Sequence, residues 1–263
     1  MLGPYEIHPQ NPLLTSLGHP EVLLQKSGHG SLVETQTNEW YLVHLCGRTL
    51  VPGLMDHGFC NLGRETGIQR LDWPEGGWPT VSGSGAISGG ENTPLSKVVA
   101  PQLPAHPWPV PNPRDDFDAP ELAPDWQSLR VPVDSSWLSL EQRPGFLRLM
   151  GRESPLSKHR QSLVARRLQA FEAEATTCLE FEPQHFQQMA GLMAYYDTQH
   201  WTYLRVSRDE TLGKTLTLLC SDAGVYSEPL EREISIEGWQ KVYLKVQFQR
   251  HNYRFGYSPD GES

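Results

Sequence analysis

Residues 82–113 cut this chain in two. Serine and glycine in Ser82-Gly83-Ser84-Gly85 and Ser88-Gly89-Gly90 make a flexible piece, and Pro101, Pro104, Pro107, Pro109, Pro111 and Pro113 follow as a stiff, extended one. That change of character marks a domain boundary, with residues 1–81 on one side and 114–263 on the other. The flanking parts are rich in aromatic residues, and the whole chain carries 23 Gly and 22 Pro. This composition suits many short strands joined by tight turns rather than helices, so the expected fold class is all-β.

In the first part, Glu39-Trp40-Tyr41-Leu42-Val43-His44-Leu45-Cys46 is dense in β-formers. Thr66-Gly67-Ile68-Gln69-Arg70-Leu71-Asp72-Trp73 alternates apolar and polar residues before a turn at Pro74-Glu75-Gly76-Gly77. In the second part, strands are expected at regular intervals over 146–149, 161–166, 175–182, 189–196, 201–206, 215–220 and 239–249. Turn signals at Asp197-Thr198-Gln199, Asp222-Ala223-Gly224 and Asp260-Gly261 separate several of them, the pattern of an antiparallel sandwich. The last turn signal has no return strand after it, so the sandwich is expected to be incomplete.

The formal charge of -9 argues against a nucleic-acid partner, which needs a concentrated basic face. The one local basic cluster, Lys158, His159, Arg160, Arg166 and Arg167, reads as a solvated face. No apolar stretch approaches the ~20 residues of a membrane span, and Met1-Leu2-Gly3-Pro4 carries no secretory-signal pattern. Cys46, Cys60, Cys178 and Cys220 lack the spacing of a disulfide framework, so free thiols in a reducing compartment are the default; localisation stays open, with the cytoplasm weakly favoured.

Two motifs lead into strand-like runs: Gly28-His29-Gly30-Ser31-Leu32-Val33-Glu34-Thr35 and Gly63-Arg64-Glu65-Thr66-Gly67. They resemble the last blades of the five-bladed propeller of family 43 glycoside hydrolases, near the β-xylosidase branch. The resemblance continues through Gly76-Gly77-Trp78-Pro79, Arg114-Asp115-Asp116-Phe117, Arg143-Pro144-Gly145-Phe146-Leu147-Arg148-Leu149 and Phe186-Gln187-Gln188-Met189-Ala190-Gly191-Leu192. It implies C-terminal propeller blades over 1–81, a linker over 82–113, and over 114–263 part of a concanavalin-like β-sandwich, with both domains truncated. It also implies inverting hydrolysis of terminal xylosyl or arabinosyl residues of short oligosaccharides, by an acid and a base roughly 6.5 to 9.5 Å apart. Those catalytic carboxylates would lie upstream of Met1, so none is expected in this chain. Homo-oligomerisation of a longer parent is compatible with the family.

His29 matches the family histidine facing the propeller's central channel, where it would orient water or touch a central cation such as calcium; no cofactor is otherwise required. The alternative is a loop histidine satisfied locally. Arg64 matches the arginine at the floor of the sugar pocket, donating to a sugar hydroxyl and keeping a neighbouring carboxylate ionised. The alternative is an ion pair with Glu65 or another surface acid.

Other chemistry is weaker. His44, Cys46, His57 and Cys60 would supply imidazoles and thiolates to zinc, but His44 and Cys46 alternate in a strand, where packing is the commoner outcome. No Gly-x-Ser-x-Gly elbow is present, and Gly83-Ser84-Gly85 lies in the linker. Glu34, Glu39, Glu65 and Asp72 read as scattered acids rather than a replacement acid/base pair. Trp40, Trp73, Trp78, Tyr195, Tyr196, Trp201 and Tyr203 could stack on sugar rings, but core packing is favoured. From a different class, a non-catalytic carbohydrate-binding or purely structural module remains the rival reading.

Overall fold

The computed structural model describes residues 3–50, 58–83, 92–110 and 112–262, and among them there is no helix. His57, Ser84, Gly85, Ser88, Gly89, Gly90 and Pro111 lie outside the described residues. Two compact units emerge, Met1–Pro109 and Val110–Ser263.

The first unit holds one four-stranded antiparallel sheet in sequential order, the size of a single propeller blade. Its strands are β1 (Leu24–Glu34), β2 (Trp40–Arg48), β3 (Glu65–Asp72) and β4 (Thr80–Val81). β2 is central, and its register sets Leu42 opposite Gln69, His44 opposite Gly67 and Cys46 opposite Glu65. On that face Leu42, His44, Cys46, Gln69 and Leu71 are buried, and Leu14 and Val81 complete an apolar cluster with Leu42 and Leu71. Tyr41 projects to the other face and is only 1% exposed.

The proline-bearing stretch was expected to be linker, but its described part from residue 92 is tied to this sheet. Leu95 and the fully buried Gln69 exchange two hydrogen bonds of 3.0 and 3.2 Å, Tyr41 Oη donates to Val99 O, and Gln102 N donates to Glu39 Oε2 at 2.7 Å. Buried side chains of the sheet thus satisfy the backbone of a segment that proline keeps extended.

In the second unit four two-residue strands, β5 (Gln127–Ser128), β6 (Leu138–Ser139), β7 (Arg148–Leu149) and β8 (Val164–Ala165), pair as β5–β8 and β6–β7. The remaining strands are β9 (Glu172–Leu179), β10 (Ala190–Tyr195), β11 (Trp201–Asp209), β12 (Gly213–Asp222), β13 (Val225–Ser227), β14 (Ile234–Ser235), β15 (Val242–Gln249) and β16 (Asn252–Ser258). β10 to β14 form a five-stranded sheet, and β16, β15 and β9 a three-stranded one. Leu204, Val206, Leu216, Ile236, Val242 and Leu244 form the sandwich core, drawing side chains from both sheets. The tight turn after β12 has positive φ at Ala223 (48°) and Gly224 (79°), as a two-residue hairpin with right-handed strand twist requires.

β16 is a strand the sequence did not announce. The hairpin before it turns at Arg250, whose φ of 55° carries none of the usual glycine or asparagine signal. Asp260 and Gly261, read as a hairpin turn, instead follow β16, where their N–H groups donate to Ser258 Oγ.

β10 approaches β11 so closely at Gly191 that a Cβ there would overlap the carbonyl oxygen of Leu204. Gly191→Ala is therefore expected to destabilise the second unit by about 2 kcal/mol or more, approaching the ~2–5 kcal/mol of a buried Leu244→Ala. Urea unfolding of both variants checks this; a near-neutral Gly191→Ala contradicts the close approach.

Candidate functional site

Both sequence motifs come to the blade. The Gly28-His29-Gly30 segment does not precede β1 but lies inside it, where pairing with β2 shifts register twice, between Gln25 and Gly28 and between Gly28 and Ser31. Lys26 (φ 59°) and His29 (φ 51°) take left-handed backbone there, a conformation uncommon for side-chain-bearing residues outside turns and functional sites. The double bulge carries the His29 imidazole into the open, since the residue is exposed.

Beneath His29 is a recess of about 190 Å³ lined by Leu13, Leu14, Gly28, His29, Gly30, Leu42 and His44. His44 is 2% exposed. Its Nδ1 lies 3.0 Å from Leu45 O, and because a carbonyl only accepts, the neutral ring carries its proton on Nδ1 and a lone pair on Nε2. Nε2 is buried and has no hydrogen-bond partner among the described residues. Burial lowers the pKa of His44, opposed by its bond to Leu45.

Two glycines make room for this arrangement. A Cβ at Gly67 would stand 2.7 Å from Cε1 and Nε2 of His44, and one at Gly30 would stand 2.7 Å from Cδ1 of Leu42. The central strand thus pushes side chains into gaps in both neighbours, and each gap belongs to one of the two motifs.

Arg64 is exposed at the residue before β3. The carboxylate of Glu65 is engaged by Arg48: Nη2 donates to Oε1 at 2.9 Å and Nε to Oε2 at 3.0 Å, which raises the pKa of Arg48. Glu39 is a structural clamp, its pKa lowered first by the N–H of Gln102, then by Thr37. Glu34 and Asp72 are exposed on the sheet.

Among the described residues the zinc set does not assemble. Cys46 shares a face with His44, and a Cβ on the next residue, Gly47, would meet Cys60 Sγ at 2.9 Å; His57 lies outside the described residues. Burial raises the pKa of both thiols. Among the described residues no three His, Cys, Asp or Glu side chains gather to hold a metal. A calcium ion takes about six to eight oxygen ligands. His29 offers a single nitrogen, so these residues do not by themselves form a calcium site.

Most candidate stacking residues are packed. Trp40 sits against the blade cluster, with Trp73 edge-on at 4.7 Å, and Trp73 Nε1 donates to Gly77 O at 3.1 Å. Trp78 is half-exposed beside His8. Trp201 and Tyr203 form a buried cluster with Leu219, flanked by Tyr195, while Tyr196 is exposed.

The protonation of His44 bears on stability. The unfolded chain protonates a histidine near pH 6.5, whereas the folded chain holds His44 neutral to lower pH. Stability is therefore lost as pH falls below about 6.5, because the unfolded state then binds more protons. His44→Gln is expected to flatten this acid-side loss, as read from urea unfolding at pH 5 and pH 7.5; an unchanged pH dependence contradicts the burial of His44.

The sequence pattern of "Glycosyl hydrolases family 43" matches residues 1–79, and that of the "Beta xylosidase C-terminal Concanavalin A-like domain" matches residues 114–263. The chain is 46% identical over 270 residues to a putative beta-xylosidase of Escherichia coli (strain K12), covering 99% of this chain and 49% of that protein. It is 44% identical over 262 residues to a beta-xylosidase of Bacillus subtilis (strain 168), covering 97% of this chain and 48% of that protein. The solved xylan beta-1,4-xylosidase from Bacillus halodurans superposes with a TM-score of 0.90 at 49% identity, over 99% of this chain and 48% of that one. The chain spans about half the length of these relatives. It belongs to glycoside hydrolase family 43, in the branch whose members join propeller blades to a concanavalin A-like β-sandwich.

Proposed function

We propose that this chain provides the floor of the sugar pocket and the accessory sandwich of a β-xylosidase-type glycosidase. That enzyme would release terminal xylosyl or arabinosyl residues from short xylo- or arabino-oligosaccharides with inversion. The observation that carries the reading is the exposed His29 imidazole, presented in left-handed backbone by a doubly bulged strand on the same sheet that Arg64 enters. The names of the relatives, beta-xylosidases and a xylan beta-1,4-xylosidase among them, support the substrate class.

In this reading His29 orients water or a sugar hydroxyl, and the guanidinium of Arg64 donates to the sugar and favours the ionised form of an adjoining carboxylate. Inverting hydrolysis also needs an acid of raised pKa and a base on the opposite face of the sugar. The carboxyl groups here with clearly displaced pKa values, Glu39, Asp116, Asp134, Glu153, Glu174, Asp197 and Asp209, are all displaced downward by hydrogen bonds to their charged forms. That is the wrong direction for a general acid, which supports assigning the acid and base to the part of the relatives this chain does not span. A carbohydrate-binding module is less well supported, because Trp40, Trp201 and Tyr203 are taken up in packing.

The test is to assay the 263-residue chain on nitrophenyl xyloside and arabinofuranoside, alone and joined to the N-terminal half of the Bacillus halodurans enzyme. Background turnover alone and clear turnover in the joined protein are expected. Turnover by the chain alone that survives repurification and is lost on mutating an internal carboxylate contradicts the reading. In the joined protein Arg64→Ala is expected to lower kcat/KM by about 10²-fold or more, and Trp73→Ala by far less. Equal, small effects would place Arg64 outside the pocket. Calorimetric binding of xylo-oligosaccharides to the chain alone would favour the binding-module alternative.

A further inference from the structure

The loop between β3 and β4 carries two tryptophans that packing leaves half in solvent, Trp73 at 39% and Trp78 at 41% exposure. One such residue is ordinary on a surface, but two on a single turn, each braced along one edge, make a preformed aromatic platform. Trp73 is held by the Trp40 ring, edge-on at 4.7 Å, and by its own indole N–H, which donates to Gly77 O at 3.1 Å. That bond brings the Trp73 ring to the residue before Trp78. Trp78 is held by the His8 ring, edge-on at 5.1 Å. His8 is fixed in turn: Nε2 lies 2.8 Å from Pro79 O and so carries the ring proton, and Nδ1 accepts from Gln10 N at 3.0 Å. The turn itself is tight, with Gly77 N donating to Pro74 O at 3.0 Å, Gly76 in left-handed backbone (φ 69°) and no room for a Cβ on Gly77, which would stand 2.8 Å from Pro74 Cγ. Both indoles are therefore ordered before anything binds, which lowers the entropic cost of a contact.

The surroundings select the ligand. Asp72, Glu75, Thr80 and Gln10 are exposed on the turn and its flanks, and residues 3–10 and 72–80 contain Glu6, Asp72 and Glu75 but no Lys or Arg. An indole face is electron-rich and attracts the C–H face of a pyranose, while carboxylates and carbonyls accept from its hydroxyls. An anionic ligand would meet only like charge there, and an apolar protein surface would have to desolvate a charged rim. We propose that Trp73 and Trp78 form a second sugar-binding surface, on which neutral pyranose units of a xylo-oligosaccharide stack while Asp72 and Glu75 accept from their hydroxyls. This surface is separate from the pocket reading: Arg64 stands immediately before β3 and Trp73 immediately after it, so the eight residues of that strand lie between them. At ~3.3 Å per residue they span about 26 Å. The choice of xylose units rests on the proposed function, whereas the stacking surface does not.

Nitrogen-15 NMR of the indole N–H signals in the 263-residue chain, titrated with xylohexaose, provides the test. The signals of Trp73 and Trp78, assigned from Trp73→Phe and Trp78→Phe, are expected to shift together with a Kd of about 1 mM. Trp78→Ala is expected to weaken binding about tenfold, and Trp78→Tyr, which keeps an aromatic face, about threefold or less. Arg64→Ala should leave the affinity unchanged. No shift of either signal at about 10 mM xylohexaose overturns the proposal, and this wild-type result decides the matter should Trp78→Ala fail to fold. Binding that Arg64→Ala abolishes and Trp78→Ala leaves intact overturns it as well. In the joined protein, Trp78→Ala is expected to keep kcat/KM on nitrophenyl xyloside within about twofold of wild type. Platform binding together with turnover by the joined protein marks a second surface of a glycosidase. Platform binding without that turnover upholds this inference and counts against the pocket reading.

Discussion

The placement of the candidate site depends on one close packing: the His44 ring lies against the bare Cα of Gly67, with Nε2 and Cε1 where a side chain would otherwise begin. From the central strand of the blade, His44 reaches toward β3 while Leu42 fills the equivalent gap at Gly30 on β1. Both motif glycines are therefore steric necessities of β2. With their methyls absent, the three strands can bury a histidine and a leucine between motifs that each present a polar side chain outward, His29 from the bulge and Arg64 from the entry to β3. The candidate residues are displayed by the same contacts that hold the sheet together.

A four-stranded sheet has two faces to cover and little core of its own. The first unit covers part of each with extended segments rather than further sheets: Leu14 packs on the face of Leu42 and Leu71, and Val99 and Gln102 meet Tyr41 and Glu39. Leu32, Val33 and Ile68 remain exposed on the blade strands. The second unit follows different physics. Its core is drawn from two sheets, with Val242 and Leu244 fully buried, so it carries its own apolar interior.

Much of this was legible from residue order. Alternation in 66–73 marked β3, the β-formers of 39–46 marked β2, and the strand spacing beyond residue 114 marked a sandwich, because a two-residue period and turn chemistry are local properties. The two motifs pointed to the family, and Gly30 and Gly67 within them answer to steric needs of β2. What escaped was register. His44 stood out only as half of a metal pattern with Cys46; its meeting with Gly67 depends on which residues pair across β2 and β3, information spread over two motifs and a loop. The tie between Gln69 and Leu95 is similarly non-local, so a proline-bearing stretch that resembles a linker is in part a strap. β16 was missed because Arg250 turns the chain without a glycine, a choice that β15–β16 pairing over seven residue pairs can impose on an unfavourable local conformation.

Family membership places this chain in glycoside hydrolase family 43, and the proposed function assigns it a part of such an enzyme: a blade displaying His29 and Arg64 toward a sugar, while among the described residues the displaced carboxyl groups are all displaced downward. The most direct measurement is a crystal structure of the chain joined to the N-terminal half of the Bacillus halodurans enzyme, with xylose bound. The account predicts His29 and Arg64 at the sugar, the guanidinium within about 3 Å of a hydroxyl and the imidazole reaching it directly or through one water. A xylose seated away from both side chains, with the pocket floor built from other residues, would contradict it.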